Sequence, residues 1–421
     1  MILLCCLMCS SINEYYYNNW CGGSLQYLDD SQCVKLFPSN TDRDTTCSTH
    51  ILDGDNHDDS AKIEILLKQG YNYDTQKLSD INVDVKTLSS IVTTDANVCV
   101  ILTKKIKNYN DNGNDTHLIN KYYCAGNYSR DDSFESWSSS KIFAIANGAG
   151  RLRSNESTCV KDVYGLTSNT TGFNGITPLG DLATIICSYD STKGYSSNAL
   201  ASYFHDLGWR QRLHDLINSD WIGTSTEQTL GGNYGEATPS DLSYQLNHFG
   251  TTCTADKDPS ITIYSNTISS LTAAELTRRI ALHSIIKPSL RFPGLLDVDA
   301  ESILNGDAKS SFFPNQINGG MSSDTAIFVQ SSLDMKKVET DSLGKWRIFS
   351  KLGDGWSSTR EKGEIVNNAY VCLPQIDSQG IEFTINVRGS VSNDYDTSLA
   401  EKIVFQTMKE TVAAITNGII L

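Results

Sequence analysis

The distribution of apolar and polar positions divides the chain into a poorly patterned first part and a well patterned remainder. Residues 12–60 are rich in Asn, Asp, Ser, Tyr and Cys and show no sustained periodicity. Residues 61–94 mix apolar and polar runs, so residues 16–96 are interpreted as an irregular extension or a small extra domain. No repeat of 20–50 residues is visible, and the pattern therefore gives no indication of a repeat architecture.

From about residue 97 onward the pattern predicts regular elements, first two strands and then helices. β-branched and apolar residues over 98–103 and 117–124 predict two strands, and the Asn-, Asp- and Gly-rich residues 108–115 predict a hairpin loop between them. Helical spacing predicts helices from Ser138 to a stop at Asn147-Gly148 and over 198–207, 210–217 and 272–286, the last capped by Ser270 or Thr272. Residues 222–260, rich in Gly, Thr and Ser, are interpreted as a long loop.

After Ser342 the pattern returns to strands and then ends in a helix. The predicted strands cover 346–351, 364–373 and 381–387, and the amphipathic helix covers 398–415. The order of strands, helices, strands and helix predicts an α/β part built from both chain ends, with a helical part inserted between them. Its sheet part is predicted from 97–135 and 325–421, with an all-helical part, 136–324, inserted between them.

Composition and charge describe a folded protein with an acidic surface. The 421 residues are 39% hydrophobic and 20% charged, which is typical of a globular chain. The formal net charge of −15 argues against nucleic acid or an anionic membrane as partner. An apolar run at Ile2–Met8 predicts a signal peptide over 1–15, although no basic residue precedes it, and the run is too short to span a bilayer. We therefore expect a secreted or extracytoplasmic protein.

Cysteines and glycosylation motifs agree with export. Nine cysteines follow the predicted signal peptide, and none forms a CxxC pair that would indicate zinc: Cys21, Cys33, Cys47, Cys99, Cys124, Cys159, Cys187, Cys253 and Cys372. Disulfides formed in an oxidising compartment are the simpler interpretation, and the odd number leaves at least one thiol unpaired or paired between chains. Asn-x-Ser/Thr motifs, which also arise by chance in such a chain, occur at Asn114, Asn127, Asn155 and Asn169.

The first motif with chemical meaning, Ser138-Ser139-Ser140-Lys141, stands at the start of a predicted helix. Its spacing puts the lysine ammonium one turn from the Ser138 hydroxyl, on the same face. A buried lysine has a depressed pKa and can accept the serine proton, and a helix N-terminus favours negative charge that develops nearby. Taken alone, Ser-x-x-Lys is common, and a helix cap followed by a solvated lysine is the simpler interpretation.

Two further short motifs follow in the chain. Ser196-Ser197-Asn198, preceded by Tyr195, lies on a loop that enters a helix. There the serine can relay a proton and the asparagine can bond a lysine and a substrate amide, although an N-cap is the commoner role. Lys351-Leu352-Gly353, followed by Asp354-Gly355, ends a predicted strand, where the lysine can line a cleft and the glycine can let a substrate approach.

In this order the three motifs resemble those of the serine β-lactamase and penicillin-binding-protein family, which carries Ser-x-x-Lys, Ser-x-Asn and Lys-Thr-Gly. Ser196 stands 58 residues after Ser138, similar to compact members of that family. The resemblance covers residues 97–421. It implies a β-lactamase/transpeptidase-like α+β fold, in which helices flank an antiparallel sheet and an all-helical subdomain is inserted. It also implies a serine hydrolase that cleaves an amide or ester of a small molecule or peptide. No pattern in the sequence indicates a cofactor.

The resemblance also implies residue roles. Ser138 would be acylated with Lys141 as its base, Ser196 would pass the proton to the leaving group, and Asn198 would hold Lys141 and the substrate. Lys351 would orient Ser196 and attract a substrate carboxylate. The remaining substrate-binding candidates are Tyr195, Gly353, Gly355 and Arg360. The oxyanion hole would combine the Ser138 N–H with one near Gly355 or Trp356. By its position, Arg360 matches the carboxylate-binding arginine of some β-lactamases. The alternative interpretation is an ordinary surface charge on a hairpin strand.

Three departures from the family pattern bear on activity. Leu352 replaces the hydroxyl residue that contacts a substrate carboxylate, so carboxylate recognition is in doubt. Glu301 begins a Glu-x-x-Leu-Asn sequence, but it follows the helix it should precede and is interpreted as a chance match. Residues 222–260 have the right position for a deacylation loop and offer Glu227 and Glu236 without the motif. Rapid turnover of β-lactams is therefore not indicated.

Two alternatives to a hydrolase remain open. One is a catalytically silent protein of the same fold that binds a ligand or partner in the cleft. The other is a structural secreted glycoprotein in which the motifs coincide by chance. The pairs His205-Asp206 and His214-Asp215 can in principle bind a metal, but solvated or capping roles are commoner, and we expect no metal.

Overall fold

A mainly antiparallel sheet, built from both halves of the chain, organises the fold. The computed structural model describes residues 47, 49–53, 57–74, 77–108, 115–126, 133–153, 165–172, 175–188, 194–219, 221–260, 265–307, 319–322, 324–376 and 379–420. The predicted signal peptide and the glycosylation motifs at Asn114, Asn127 and Asn155 lie outside the described residues. Asn169, the fourth such site, lies half-buried in a short strand.

The described strands vary from two residues to twelve. They are β1 (Ile51–Asp53), β2 (Asn72–Tyr73), β3 (Val83–Asp84), β4 (Asn97–Asn108), β5 (Asp115–Ala125), β6 (Phe134–Glu135), β7 (Asn169–Gly172), β8 (Gly175–Pro178), β9 (Thr229–Leu230), β10 (Gln245–His248), β11 (Thr251–Thr254), β12 (Asn266–Ile268), β13 (Arg347–Ser357), β14 (Lys362–Leu373) and β15 (Ile381–Ser392).

The helices are concentrated between the two groups of long strands. They are α1 (His57–Lys68), α2 (Val85–Ser89), α3 (Lys141–Leu152), α4 (Leu179–Ser188), α5 (Ser197–Gly208), α6 (Arg210–Asn218), α7 (Ser270–Ala281), α8 (Asp297–Asn305), α9 (Ile327–Gln330), α10 (Met335–Ser342) and α11 (Ser398–Thr416). A 3-10 turn, Trp137–Ser140, leads directly into α3.

The main sheet joins the first and last parts of the chain. Its order is β13-β14-β15-β4-β5-β2, and each neighbouring pair is antiparallel. β15 pairs with β4, so the two ends of the chain form one sheet, while the short strands β1 and β3 add parallel partners to β4 and β5. The predicted fold class is confirmed: helices flank an antiparallel sheet, and a largely helical part is inserted between its two groups of strands.

Each face of the sheet is covered by apolar packing. α7 packs against one face and contributes to a core shared with α3, α4 and α5, whereas α11 packs against the other. Side chains of β13 alternate between the two cores: Phe349 lies in the core on the α7 side and Leu352 in the core on the α11 side. The site described below lies on the face of β13 that looks toward α3.

The predicted helix stop at Asn147-Gly148 is wrong, because α3 continues through both residues to Leu152. Its glycines permit close packing: a Cβ atom on Gly148 would lie 3.1 Å from the Phe204 ring. One on Gly150 would collide with the Pro293 carbonyl. These glycines therefore allow other elements to pack closely on the helix and do not end it. The sequence of the helix alone cannot distinguish these two roles.

Two other predictions about elements need correction. α7 ends at Ala281, earlier than predicted, and its cap is Ser269, whose hydroxyl accepts from the Thr272 N–H at 3.2 Å. The segment 222–260 is not only loop, because it contributes β9, β10 and β11 to two small sheets. Neither change moves the predicted strands and helices that surround the three motifs.

Disulfides tie the sheet together. Cys47 is bonded to Cys372 of β14, and Cys99 is bonded to Cys124 directly across β4 and β5. Cys253 is disulfide-bonded as well, and Cys187 is buried and outside any disulfide. Among the described helices, none combines the length and the apolar character needed to cross a membrane.

Candidate active site

The candidate active site lies where the turn Trp137–Ser140, the start of α5 and the strand β13 meet. Gly353 of β13 packs directly on the turn: a Cβ atom there would lie 2.7 Å from the Ser139 nitrogen and 3.0 Å from the Ser138 nitrogen. From β14, Asn368 donates from Nδ2 to the Ser139 carbonyl at 3.2 Å. The turn is thus held against the sheet by contacts that require a glycine on the strand.

Trp137, the residue before Ser138, has a left-handed backbone conformation with φ of +49°. Such a conformation is costly for a residue with a bulky side chain and persists only where its surroundings enforce it. Its indole N–H donates to Glu364 at 3.0 Å, and its ring occupies the space that a side chain on Gly355 would need. The backbone that presents Ser138 is therefore anchored on both sides.

Four serines lie between residues 136 and 140, and their hydroxyls have different roles. Ser136 donates to the Asn266 carbonyl at 2.8 Å, and Ser139 donates to the Ser136 carbonyl at 2.6 Å. Ser140 donates to the Trp137 carbonyl at 2.9 Å. Ser138 is partly exposed, and no described residue hydrogen-bonds its hydroxyl. Of these four, Ser138 is the one whose hydroxyl is accessible to a substrate.

Lys141, the first residue of α3, has a fully buried side chain with 0% exposure. Its ammonium nitrogen donates to Ser197 Oγ at 2.9 Å and to Asn198 Oδ1 at 2.5 Å, and it lies 5.2 Å from the centre of the Tyr234 ring. Burial lowers the pKa of Lys141 from 10.5 to about 7, although the Glu236 carboxylate opposes this shift. Near neutral pH a large fraction of this amine is therefore unprotonated.

The second motif places its two serines differently. Ser196 is exposed and caps α5, because its hydroxyl accepts from the Ala199 N–H at 3.1 Å and donates to Glu236. Ser197, one residue later, accepts from Lys141. The motif thus brings Ser197 and Asn198 to the lysine, whereas Ser196 faces the rim of the site.

Tyr195 is turned away from Lys141. Its hydroxyl donates to Asp241 at 2.5 Å and lies against Gly172 of β7. The side chain therefore helps to fix the start of α5 against the small sheet of β7, β8, β10 and β11.

A glutamate from the segment 222–260 completes the rim. Glu236 Oε1 accepts from Asn198 Nδ2 at 3.1 Å, and its other oxygen accepts from Ser196. Glu227, the other glutamate of that segment, lies instead 3.7 Å from His214. Glu236 is exposed, so its carboxylate reaches both the asparagine that binds Lys141 and the solvent.

Lys351 extends from β13 into the same buried region. Its side chain is 0% exposed, and its ammonium nitrogen donates to the Leu352 carbonyl at 3.3 Å. Burial, reinforced by the nearby charge of Lys141, lowers the pKa of Lys351 well below 10.5. Burial also raises the pKa of the Cys187 thiol to about 12, although both lysines oppose that shift. Two lysines and a thiol thus share one low-dielectric region.

Gly355 and Arg360 are the remaining substrate-binding candidates, and Leu352 is the position that departs from the family motif. Gly355 faces Trp137, as described above. Leu352 points to the opposite face of the sheet and is 3% exposed within the core beneath α11. Arg360, just before β14, donates to Glu364 at 2.6 Å.

A second layer of polar side chains lies behind Lys141. The Tyr234 hydroxyl is 3.2 Å from Ser140 Oγ and 3.3 Å from His205 Nε2. Burial lowers the pKa of His205 to about 3, so this imidazole is neutral. Asp206 next to it accepts from Arg210 at 2.8 Å. Within the described part of the chain, no cluster of His, Cys, Asp or Glu is arranged to hold a metal ion.

Comparison with solved structures gives similarity at low sequence identity. A class A β-lactamase from Mycobacterium abscessus is 12% identical, with 78% of this chain and 97% of that chain covered and a TM-score of 0.42. A β-lactamase from Burkholderia vietnamiensis is 10% identical, with 79% and 96% covered and a TM-score of 0.40. The protein PBP-A is 13% identical, with 79% and 95% covered and a TM-score of 0.41.

Sequence comparison adds no closer relative. No protein-family model matches the chain, and no curated protein matches it.

Sequence reasoning missed three residues of this site. Ser197 occupies the variable position of Ser-x-Asn, and the motif assigns the chemical role to the serine before it. Tyr234 lies far from the motifs in sequence and carries no pattern of its own. In the sequence, Glu364 is an ordinary polar position of a predicted strand. Its contact with Trp137 arises because Glu364 pairs with Gly355 of the neighbouring strand. An acidic residue four positions after Arg360 was the one available signal.

Proposed function

We propose that this chain is a serine hydrolase that cleaves an amide or ester through an acyl-enzyme on Ser138. The observation that carries the proposal is the pairing of an accessible serine with a buried amine one turn later. Ser138 is partly exposed while its three neighbouring serines are bonded to backbone carbonyls. Burial gives Lys141 a pKa of about 7, which suits a base at neutral pH.

Acylation follows from these groups. Neutral Lys141 accepts the proton of Ser138, and the serine oxygen forms a bond to the substrate carbonyl carbon. The negative charge on the carbonyl oxygen is stabilised by the Ser138 N–H and by an N–H of β13 near Gly355 or Trp356. The bond to the leaving group then breaks, and the leaving group takes its proton from Lys141.

Ser197 is assigned the relay of that proton. Its hydroxyl accepts from Lys141 at 2.9 Å, whereas the Ser196 hydroxyl is bonded to Glu236 and to the backbone of α5. The role that the family resemblance gave to Ser196 therefore passes to the next residue in this proposal. Asn198 holds Lys141 through its carbonyl oxygen and Glu236 through its amide.

Deacylation is assigned to Glu236. Its carboxylate is exposed, is bonded to Asn198 and is thereby connected to Lys141. A carboxylate in that position can take a proton from a water molecule as the water attacks the acyl-enzyme. The water supplies the hydroxyl of the released acid, and the proton that Glu236 removes returns by way of Lys141 to the Ser138 oxygen as the acyl bond breaks.

The disulfides support the proposal that the protein works outside the cytoplasm. Cys47–Cys372 and Cys99–Cys124 are buried bonds within the sheet. Such bonds persist in oxidising compartments and are rare in reducing ones.

A catalytically silent protein that binds a ligand in the same cleft is the second candidate. The observation that favours it is that the Ser138 hydroxyl makes no hydrogen bond to Lys141 or Ser197 in this structure. Catalytic hydrogen bonds often tighten only once substrate is bound, so this geometry is compatible with both candidates.

Intact-mass spectrometry during reaction with an activated aryl ester and with a penicillin tests the proposal. We expect a stoichiometric acyl adduct that is lost in Ser138→Ala. In Ser197→Ala the adduct should form about 10² times more slowly, and in Ser196→Ala at nearly the normal rate. In Glu236→Gln it should form and then persist. If no reagent acylates the wild-type protein, the proposal fails.

A further inference from the structure

A buried carboxylate beside the candidate active site bears on the class of substrate. Glu364 of β14 has a side chain with 0% exposure, and it pairs in register with Gly355 of β13. Residues in register point to the same face of a sheet, so Glu364 lies on the face that carries the turn Trp137–Ser140. The indole of Trp137 donates to it directly.

Two arginines are bound to this carboxylate. Arg360 donates to Glu364 Oε2 at 2.6 Å, and Arg388 donates to Glu364 Oε1. Charge-assisted bonds of this kind are among the stronger hydrogen bonds in proteins. The guanidinium of Arg388 also lies 4.7 Å from the centre of the Phe134 ring, which fixes its position further.

A second carboxylate balances the remaining positive charge. Glu135 of β6, which directly precedes Ser136, interacts electrostatically with Arg360 and accepts from the Asn266 N–H at 3.2 Å. Two glutamates therefore face two arginines. A substrate carboxylate would have to displace the Glu364 carboxylate, which is already desolvated, from its arginines. It would also be repelled by the negative charges of Glu364 and Glu135.

The other positions that could attract a carboxylate are also altered. Leu352 has an apolar side chain on the opposite face of the sheet. Lys141 and Lys351 are fully buried, so a substrate anion could reach neither ammonium without being desolvated itself, and burial lowers the pKa of both. The four cations are thus either paired with glutamate, as Arg360 and Arg388 are, or buried away from solvent, as Lys141 and Lys351 are.

We propose that Glu364 is a specificity-determining residue which makes the site accept esters or amides that carry no carboxylate beside the scissile bond. This inference rests on the proposed acyl-enzyme function, because it concerns the substrate of the same site. Glu364 holds Arg360 and Arg388 in place of a substrate anion, and it holds Trp137 in the conformation that presents Ser138. The substrate class is therefore a neutral acyl derivative.

A matched pair of esters tests this proposal. The 3-carbamoylphenyl and 3-carboxyphenyl esters of phenylacetylglycine differ only in the charge of the leaving group. The measurement is kcat/KM for each, divided by its rate of hydrolysis by hydroxide, with the acyl-enzyme counted by intact mass. We expect the neutral ester to react at least about tenfold faster, which corresponds to about 1.4 kcal/mol.

Three variants assign the preference to Glu364. Glu364→Gln leaves the arginines charged and keeps an acceptor for Trp137, so the preference for the neutral ester should shrink by about tenfold or reverse. Arg360→Gln should leave the carboxylate ester the poorer substrate. Glu382→Gln changes another buried glutamate, one that pairs with Lys105 at 3.1 Å, and should leave the ratio of the two rates unchanged.

The outcomes separate this inference from the function on which it rests. If both esters acylate the protein and the carboxylate ester is preferred, with that preference lost in Arg360→Gln, then Arg360 binds a substrate anion and the inference is overturned. An unchanged ratio in Glu364→Gln would overturn it as well. If neither ester forms an acyl-enzyme, the proposed function fails, and the inference fails with it.

Discussion

At the scale of single residues, the proposed chemistry depends on one lysine whose charge changes near neutral pH. Lys141 must be unprotonated to accept the Ser138 proton. Burial lowers its pKa to about 7, and Asn198 and Ser197 keep the amine oriented. A residue with the usual lysine pKa would be almost fully protonated at that pH and could not serve as a base.

We expect the rate of acylation to rise with pH through about 7 and then to level off, because the unprotonated form of Lys141 accumulates there. The measurement is kcat/KM for a neutral ester from pH 5.5 to 9. Lys141→Arg, whose side chain stays protonated, should lose about 10² or more of this rate. A profile that is flat between pH 6 and 8 would contradict the assignment of Lys141 as base.

The same lysine should reduce stability. Its pKa in the folded protein, about 7, lies below the usual 10.5, so between these values the unfolded chain binds a proton that the folded chain does not. Stability therefore rises as the pH increases from about 7 toward 10.5 and is lowest below 7. Lys141→Met should raise Tm by a few degrees at pH 6 and by less at pH 10. A lower Tm for the variant at pH 6 would show that the lysine stabilises the fold instead.

Residue roles could be predicted only in part from the sequence. The Ser-x-x-Lys spacing fixes Lys141 one turn from Ser138, since both belong to one continuous segment. The choice between Ser196 and Ser197 depends on Glu236, which binds Ser196 from a segment 40 residues away. The low pKa of Lys141 depends on its burial among elements that are distant in sequence, which no local pattern encodes.

At the scale of elements, β13 both completes the sheet and forms one side of the site. Gly353 lies on the turn that carries Ser138, and Leu352 lies in the core on the opposite face. Because side chains alternate between the two faces of a strand, these adjacent residues contribute to different parts of the molecule, the site and the core.

Gly353→Ala should slow acylation by at least about tenfold while the fold persists, because the added methyl group would lie 2.5 Å from the Ser136 carbonyl and displace the turn. The rate is measured with a neutral ester, and the fold by circular dichroism. Leu352→Val is the matched control: it alters the neighbouring core residue and should lower Tm without changing the rate. Equal rates in Gly353→Ala and the wild-type protein would mean that this contact does not position Ser138.

The predictions for elements succeeded where a segment is regular over its whole length. The strands of both chain halves and the helix Ser398–Thr416 follow clear alternating or helical patterns. The end of α3 was predicted wrongly because Gly148 and Gly150 pack against residues distant in sequence. Glycine within a helix has the same local signature whether it ends the helix or lets another element approach.

At the scale of the whole molecule, the two chain halves meet in one sheet through β15 and β4, and Cys47–Cys372 adds a covalent link between them. The site lies on this shared sheet, with α3 and α5 from the inserted part above it. The three motifs are far apart in sequence because each belongs to a different element. They come together only when both chain halves have joined in one sheet.

Cys47→Ser should lower stability by several kcal/mol, because the bond closes a loop that contains most of the chain. The measurement is the midpoint of thermal unfolding without reductant. Added reductant should lower the midpoint less in the variant than in the wild-type protein, since one of the wild-type disulfides is already absent. An identical midpoint in both proteins would show that the bond contributes nothing to the folded state.

The central claim, that Ser138 is an activated nucleophile, is tested most directly by labelling with a fluorophosphonate at pH 7.5 followed by intact-mass analysis and peptide mapping. The account predicts one adduct per chain, located on Ser138, absent in Ser138→Ala and retained in Ser140→Ala, whose hydroxyl is bonded to the Trp137 carbonyl. The absence of any adduct in a correctly folded protein, or an adduct on another residue that persists in Ser138→Ala, would contradict it.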